Sequence, residues 1–355
     1  MNVEKHSKGD GMKNRLSFFL CAALAFALLP GISRAAAEQN VPKPARNIEN
    51  YPFPPKGDIE DRIYTTPQFL LDYYTDIDKS LISADKPYKA YNPTASELAE
   101  IKSVIRQLPK QYKDKIAPRL LGIYFIENLI GSGWSEWMQG KDGKRYYIMI
   151  FNSKVLKMSA SEWITGKEKS VFIMDQPGYD LEIDIGGGMS GFYYIFYHEI
   201  SHVYDYIAGV TPGEGGVSEK AAQYEVLSQT RSFKKEYPFM YNVWLRFTTP
   251  VKEYDFPGRE NVTFYGLSGG PKIKISEAPA YYEKLRSTPF VTLYGSLNWM
   301  EDFAEFMAAY MNVVVMKRPW VLRIKKNGKV IYEMNGVFDR KLIDFRMKFA
   351  GELVK

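Results

Sequence analysis

Side chains that bind metals or cross-link chains are scarce in this sequence. Its 355 residues include one cysteine, Cys21, and three histidines, His6, His198 and His202. A single cysteine forms no internal disulfide, and Cys21 sits inside an apolar run that reads as part of a leader. The chain beyond it therefore has neither a disulfide framework nor a thiol nucleophile. Long apolar runs are missing too. "LSFFLCAALAFALL", Leu16 to Leu29, spans 14 residues, too few for a membrane helix. The net charge is +6, and residues 1–37 hold five Lys/Arg against two Asp/Glu, which leaves +3 on the rest. That balance gives no argument for a nucleic-acid partner. There is no internal repeat and no low-complexity run.

What is present points to an exported globular protein. Lys13 and Arg15 precede the apolar run, and Ala35-Ala36-Ala37 follows it as a small-residue cleavage site. Residues 1–37 read as a signal peptide cut after Ala37, with Met12 an alternative start. Secretion or a periplasmic location is expected, with no stable membrane span after cleavage. Hydrophobic residues make up 45% and charged residues 25%, enough for a substantial core. Aromatics reach 15%, with 26 tyrosines, which suggests an aromatic-rich core or a surface that grips something extended.

Residues 38–95 are proline-spotted and read as a flexible or polyproline-like lead, with a short helix near 67–77. Ser96 reads as the N-cap of a helix through "ELAEIKSVIRQL". From there to residue 355 one domain is expected. "RLLGIYFIENLI", "KRYYIMIFN" and "SVFIMD" read as strands. "GFYYIFYHEISHVYDYIA" reads as a long buried helix fed by the glycine turn at 186–191. A helix spans 298–311, Asn327-Gly328 marks a hairpin, and an amphipathic helix closes the chain.

The chemistry lies in His198-Glu199-Ile200-Ser201-His202. On a helix, positions i and i+4 share a face, so the two imidazoles can grip one ion. Glu199 is rotated about 100° from His198 and can reach water at that ion. That is the H-E-x-x-H arrangement of zinc peptidases: two histidines hold Zn²⁺ and the glutamate is the general base. Both histidines beyond the leader fall in this one motif. A catalytic zinc usually takes three protein ligands; with histidine and cysteine exhausted, the third must be Asp or Glu. Asp205 lies about 10 Å along the axis from His198, which suits a hydrogen bond to a ligand imidazole or a tie at the helix end. Glu301 and Glu305 are better placed. They stand at i and i+4 on an apolar helix, where buried like charges need a cation or a proton.

"HEISHVYDYIAG" resembles the H-E-x-x-H-x-x-D-x-x-A-G signature of the anthrax lethal factor-like zinc peptidases, within the gluzincin group. In that family a Tyr-Gly pair precedes the third-ligand glutamate by seven residues, as Tyr294-Gly295 precedes Glu301. The resemblance implies an α+β, zincin-like domain with a small mixed sheet packed on the HExxH helix. It implies one zinc held by His198, His202 and Glu301, with Glu199 as base and Tyr294 as transition-state donor. Asp205 and Glu305 would support the ligands from behind. The stretch 210–290 is longer than the family spacing and looks like an insertion. A tyrosine donor also fits independently, because the oxyanion of peptide hydrolysis needs one and no spare histidine exists. Tyr193, Tyr194, Tyr197 and Tyr204 read as packing.

The expected activity is zinc-dependent endopeptidase cleavage of a protein or peptide. The substrate could add as a strand to an edge in "KRYYIMIFN" or "SVFIMD". A non-catalytic, metal-stabilised surface binding protein and a zinc hydrolase of cell-wall amide bonds are the alternatives.

Overall fold

Continuous apolar stretches and capped amphipathic stretches divide this chain, and the fold follows that division. The computed structural model describes residues 44–79, 82, 86–212 and 231–355; the expected leader lies outside the described residues. In chain order the elements are helix α1 (Gln68–Asp78), strand β1 (Lys89–Ala90), helices α2 (Ala95–Arg106) and α3 (Lys110–Ile116), and strands β2 (Leu120–Glu127), β3 (Gly133–Gln139) and β4 (Arg145–Asn152). Helix α4 (Ala160–Lys169), strands β5 (Phe172–Ile173) and β6 (Tyr179–Asp184) and helix α5 (Gly191–Ala208) follow. Then come α6 (Arg231–Glu236), β7 (Trp244–Arg246), β8 (Thr249–Pro250), β9 (Ile273–Lys274) and α7 (Ala278–Arg286). The chain ends with α8 (Trp299–Tyr310), the hairpin β10 (Val321–Lys326) and β11 (Lys329–Asn335), and α9 (Asp344–Leu353).

The fold is α+β. Four strands form a mixed sheet in the order β1-β2-β4-β3; β2 and β4 run parallel and the outer pairs antiparallel. The central strands β2 and β4 are buried on both faces, which is why their sequences are continuously apolar rather than alternating. A three-stranded antiparallel sheet runs β11-β10-β6. Its hairpin turns at Asn327 and Gly328, both at positive φ (50° and 77°), as a type I′ turn requires.

Each face of the larger sheet is covered by a different part of the chain. On one face lies α5, whose Phe192 and Phe196 meet Phe125 and Phe151 with ring centroids 5.0 to 6.5 Å apart. On the other, Ala45, Ile48, Tyr51, Leu70, Leu71, Tyr74 and Tyr88 pack onto Leu121, Tyr124, Ile126, Ile148 and Ile150 as a second core. The described part of the proline-spotted segment is thus no flexible lead. Its apolar residues cover the sheet, and β1 hydrogen-bonds to β2.

Other details also differ from expectation. Thr94, not Ser96, caps α2: its hydroxyl accepts the Glu97 N–H while Glu97 accepts the Thr94 N–H. Thr-x-x-Glu is the pattern that closes such a reciprocal cap. "SVFIMD" yields only β5, a two-residue pairing with β9, cut short by the turn at Pro177-Gly178. "KRYYIMIFN" is β4, bonded on both sides, so it offers no free edge; β3 takes the edge position. Among the described residues no helix is long and apolar enough to cross a membrane.

Candidate metal centre

The motif sits in the middle of α5, buried from Gly191 through Asp205. The helix stops at Gly209, which adopts φ 67° and donates its N–H to the Asp205 carbonyl; a left-handed residue there is best met by glycine. The Asp205 carboxylate accepts the Thr211 N–H and hydroxyl, both at 2.6 Å. Burial pushes its pKa up to about 6, against the pull of those two bonds. Asp205 thus ties the helix end to the chain beyond. Among the described residues, the Nδ1 atom of His202 has no hydrogen-bond partner.

Helix α8 brings the acidic groups. Asn298 caps it, accepting the N–H groups of Met300 and Glu301 at 3.0 Å each, and all its residues are buried. Glu301 turns toward α5. Its neighbour Asp302 takes Arg346 of α9 as a two-pronged partner, at 2.9 and 2.6 Å, and Trp244 Nε1 at 2.7 Å.

His198, His202 and Glu301 converge. The two Nε2 atoms are 3.2 Å apart, and Glu301 Oε2 lies 3.2 Å from His198 Nε2 and 3.5 Å from His202 Nε2. A tetrahedral ion with bonds of about 2.0–2.2 Å has ligand-to-ligand edges of about 3.3–3.6 Å. Three such edges are already laid out, and together the three residues form a buried group that could hold a metal ion. Beyond the imidazoles, no donor among the described residues reaches either oxygen of Glu301. A buried carboxylate without donors is costly unless a cation compensates it, so the donor set fits a divalent ion. The electrostatics agree. Burial would raise the Glu301 pKa, but the two histidines hold it well below the usual carboxylate range. Burial would likewise lower the His198 pKa, but Glu301 and Glu305 outweigh it and carry it up to about 9.

Behind the three ligands lies a second layer. Glu305 Oε1 is 2.8 Å from His198 Nδ1, and its Oε2 accepts the Thr292 hydroxyl at 2.8 Å. The His198 contact is an ion pair rather than an aligned hydrogen bond, and a carboxylate at the far nitrogen biases an imidazole's orientation and tautomer. Oε1 also meets Lys167 Nζ, from α4, at 2.5 Å. Burial opposes ionisation of Glu305, yet Lys167 and His198 bring its pKa down to about 2.

Glu199 is buried beside the ligands, and burial lifts its pKa to about 7 despite the two histidines. Tyr294 is buried in a single helical turn just before α8. Its ring centroid is 5.9 Å from that of His198 and 4.9 Å from Phe264, edge to face. A cavity of about 380 Å³ opens here, lined by Tyr294 and Glu301 together with Phe247, Val262, Phe264, Leu267 and Lys272. The stretch read as an insertion therefore supplies most of one pocket wall. No known family matches the chain, and no curated protein and no solved structure matches it.

The structure thus gathers His198, Glu199, His202, Tyr294, Glu301 and Glu305 in one place and leaves Asp205 at the helix end. Sequence reasoning does not find Lys167, Thr292 or the Asp302–Arg346 pair. A lysine in the last turn of α4 reads as an ordinary complement to the helix dipole. Only the approach of α8, far along the chain, makes Lys167 a buried cation.

Proposed function

We propose that the protein is an exported zinc metallopeptidase of the zincin-like, gluzincin type that hydrolyses peptide bonds. The observation that carries this reading is the trio of ligand atoms at near-tetrahedral spacing, with Glu199 beside it and a cavity reaching the same point. Two imidazoles and one carboxylate suit zinc with a position left for substrate or water. When bound, zinc supplies Lewis acidity to a carbonyl oxygen and makes water easier to deprotonate. Glu199, with a pKa of about 7, accepts a proton from the attacking water and returns it to the leaving amine. The Tyr294 hydroxyl donates toward the oxyanion that forms on the scissile carbonyl. Glu305 holds His198 in the tautomer that presents Nε2. Signal-directed export is part of the proposal and rests on residues 1–37.

The test is Glu199→Gln, measured for zinc content and for cleavage of a diverse peptide library. One zinc per chain should remain, while cleavage falls by about 10²–10⁴-fold, the usual worth of a positioned base. Full cleavage by this variant would refute the mechanism. Zinc binding by the wild-type chain without cleavage of any peptide would make the site structural.

A further inference from the structure

Lys167 touches two parts of the site at once. Its ammonium lies 2.5 Å from Glu305 Oε1 and 4.0 Å from the centroid of the Tyr294 ring, and its side chain is only 2% exposed. An ammonium withdrawn from water needs full compensation. Here the Glu305 carboxylate provides it together with the electron-rich faces of the Tyr294 ring and, at 5.5 Å, the Trp163 ring. Two of these partners matter to the centre. Glu305 shares the same Oε1 with His198 Nδ1, and the Tyr294 ring packs against the ammonium, His198 and the edge contacts with Phe264 and Tyr265. Removing the ammonium would let Glu305 turn toward Thr292, its other partner, and would take the lysine cation out of the contacts that set the tilt of the tyrosine ring.

We propose that Lys167 is a positioning residue that sets the metal ligand His198 through Glu305 and the donor Tyr294 through its ring. The Tyr294 half rests on the peptidase reading; the His198 half does not. Zinc affinity of the full chain, measured by chelator competition, tests the first half. Lys167→Met should weaken zinc ten- to a hundredfold, the usual cost of losing support behind a ligand, and Lys167→Arg should recover most of that loss. In a Glu305→Gln background, where no buried carboxylate is left unpaired, Lys167→Met should change zinc affinity by less than twofold. Unchanged affinity in Lys167→Met alone, or losses that simply add in the double variant, would overturn the proposal. For the second half, kcat in Lys167→Met should fall about tenfold beyond any zinc deficit, with KM within twofold. In a Tyr294→Phe background the same change should cost nothing further, and additive losses there would overturn this half. If the zinc-loaded wild-type chain cleaves no peptide, the peptidase reading fails and the Tyr294 half fails with it. The zinc titrations then decide the His198 half alone.

Discussion

Glu301 and Asp302 are consecutive residues on one buried helix, and their surroundings could hardly differ more. Asp302 faces Arg346 and Trp244, which together donate three hydrogen bonds to it. Glu301 faces two imidazoles, and no other donor among the described residues reaches it. Glu168 on α4 falls between them: Tyr282 donates to one oxygen at 2.6 Å, and the other has no hydrogen-bond partner. The lesson concerns how a protein compensates a buried carboxylate. Where internal donors suffice, the carboxylate fastens elements together. Where they are withheld and imidazoles converge instead, as at Glu301, the group could hold a metal ion.

The sharpest way to break the comparison is to treat both carboxylates alike. Asp302→Ala strands the Arg346 guanidinium without its carboxylate, and breaking a buried pair in this way costs about 3–5 kcal/mol. Urea denaturation should show that loss, while Asp302→Leu with Arg346→Met should restore much of it. A loss under about 1 kcal/mol in the single variant would show that the pair does not fasten α8 to α9. Glu301→Gln should do the reverse. The metal-free fold should lose less than it does in Asp302→Ala, because only the contacts of Glu301 with His198 and His202 are weakened. Zinc at a hundredfold excess over its wild-type Kd, worth about 2.7 kcal/mol, should no longer raise the melting temperature. Retention of that rise would remove Glu301 from the site.

Glu168 gives a subtler effect. Burial carries its pKa to about 7 from an ordinary 4.5, with Tyr282 and Lys167 opposing. The native state therefore holds a proton that the unfolded chain releases between about pH 4.5 and 7. Stability should fall as pH rises through that window and level off above it. The contribution is on the order of 3 kcal/mol at most. Glu168→Gln should flatten that part of the curve in denaturation measured from pH 4.5 to 8. An unchanged slope would mean that the lone Tyr282 bond suffices.

The legible parts of this molecule are those written in local pattern. The i, i+4 histidines, the i, i+4 glutamates on an apolar helix and the Asn-Gly turn each announce a geometry that short-range rules dictate. Even there the resolution was uneven. Two stacked glutamates signal a need for positive charge, and the resemblance sets Glu301 with the imidazoles, but neither points to Lys167 beside Glu305. Strands β3 and β6 are hard to read because both pack only partly: "GWSEWMQ" mixes polar residues and Glu136 among its tryptophans, and "YDLEID" carries an acid at every second position. Arg346 was invisible for a simpler reason. On an amphipathic final helix an arginine reads as solvated, and only the arrival of Asp302 from α8 makes burial tolerable.

The covering of the larger sheet by the described residues between Ala45 and Ala90 has a practical consequence. Those residues shield Leu121, Tyr124, Ile126, Ile148 and Ile150 from water. A chain shortened to begin at the capped helix α2 would expose that greasy panel, and panels of this kind stick to one another. Ala45, Ile48 and Tyr51 already belong to that covering, so the stretch is a fixed part of the wall rather than a detachable tail.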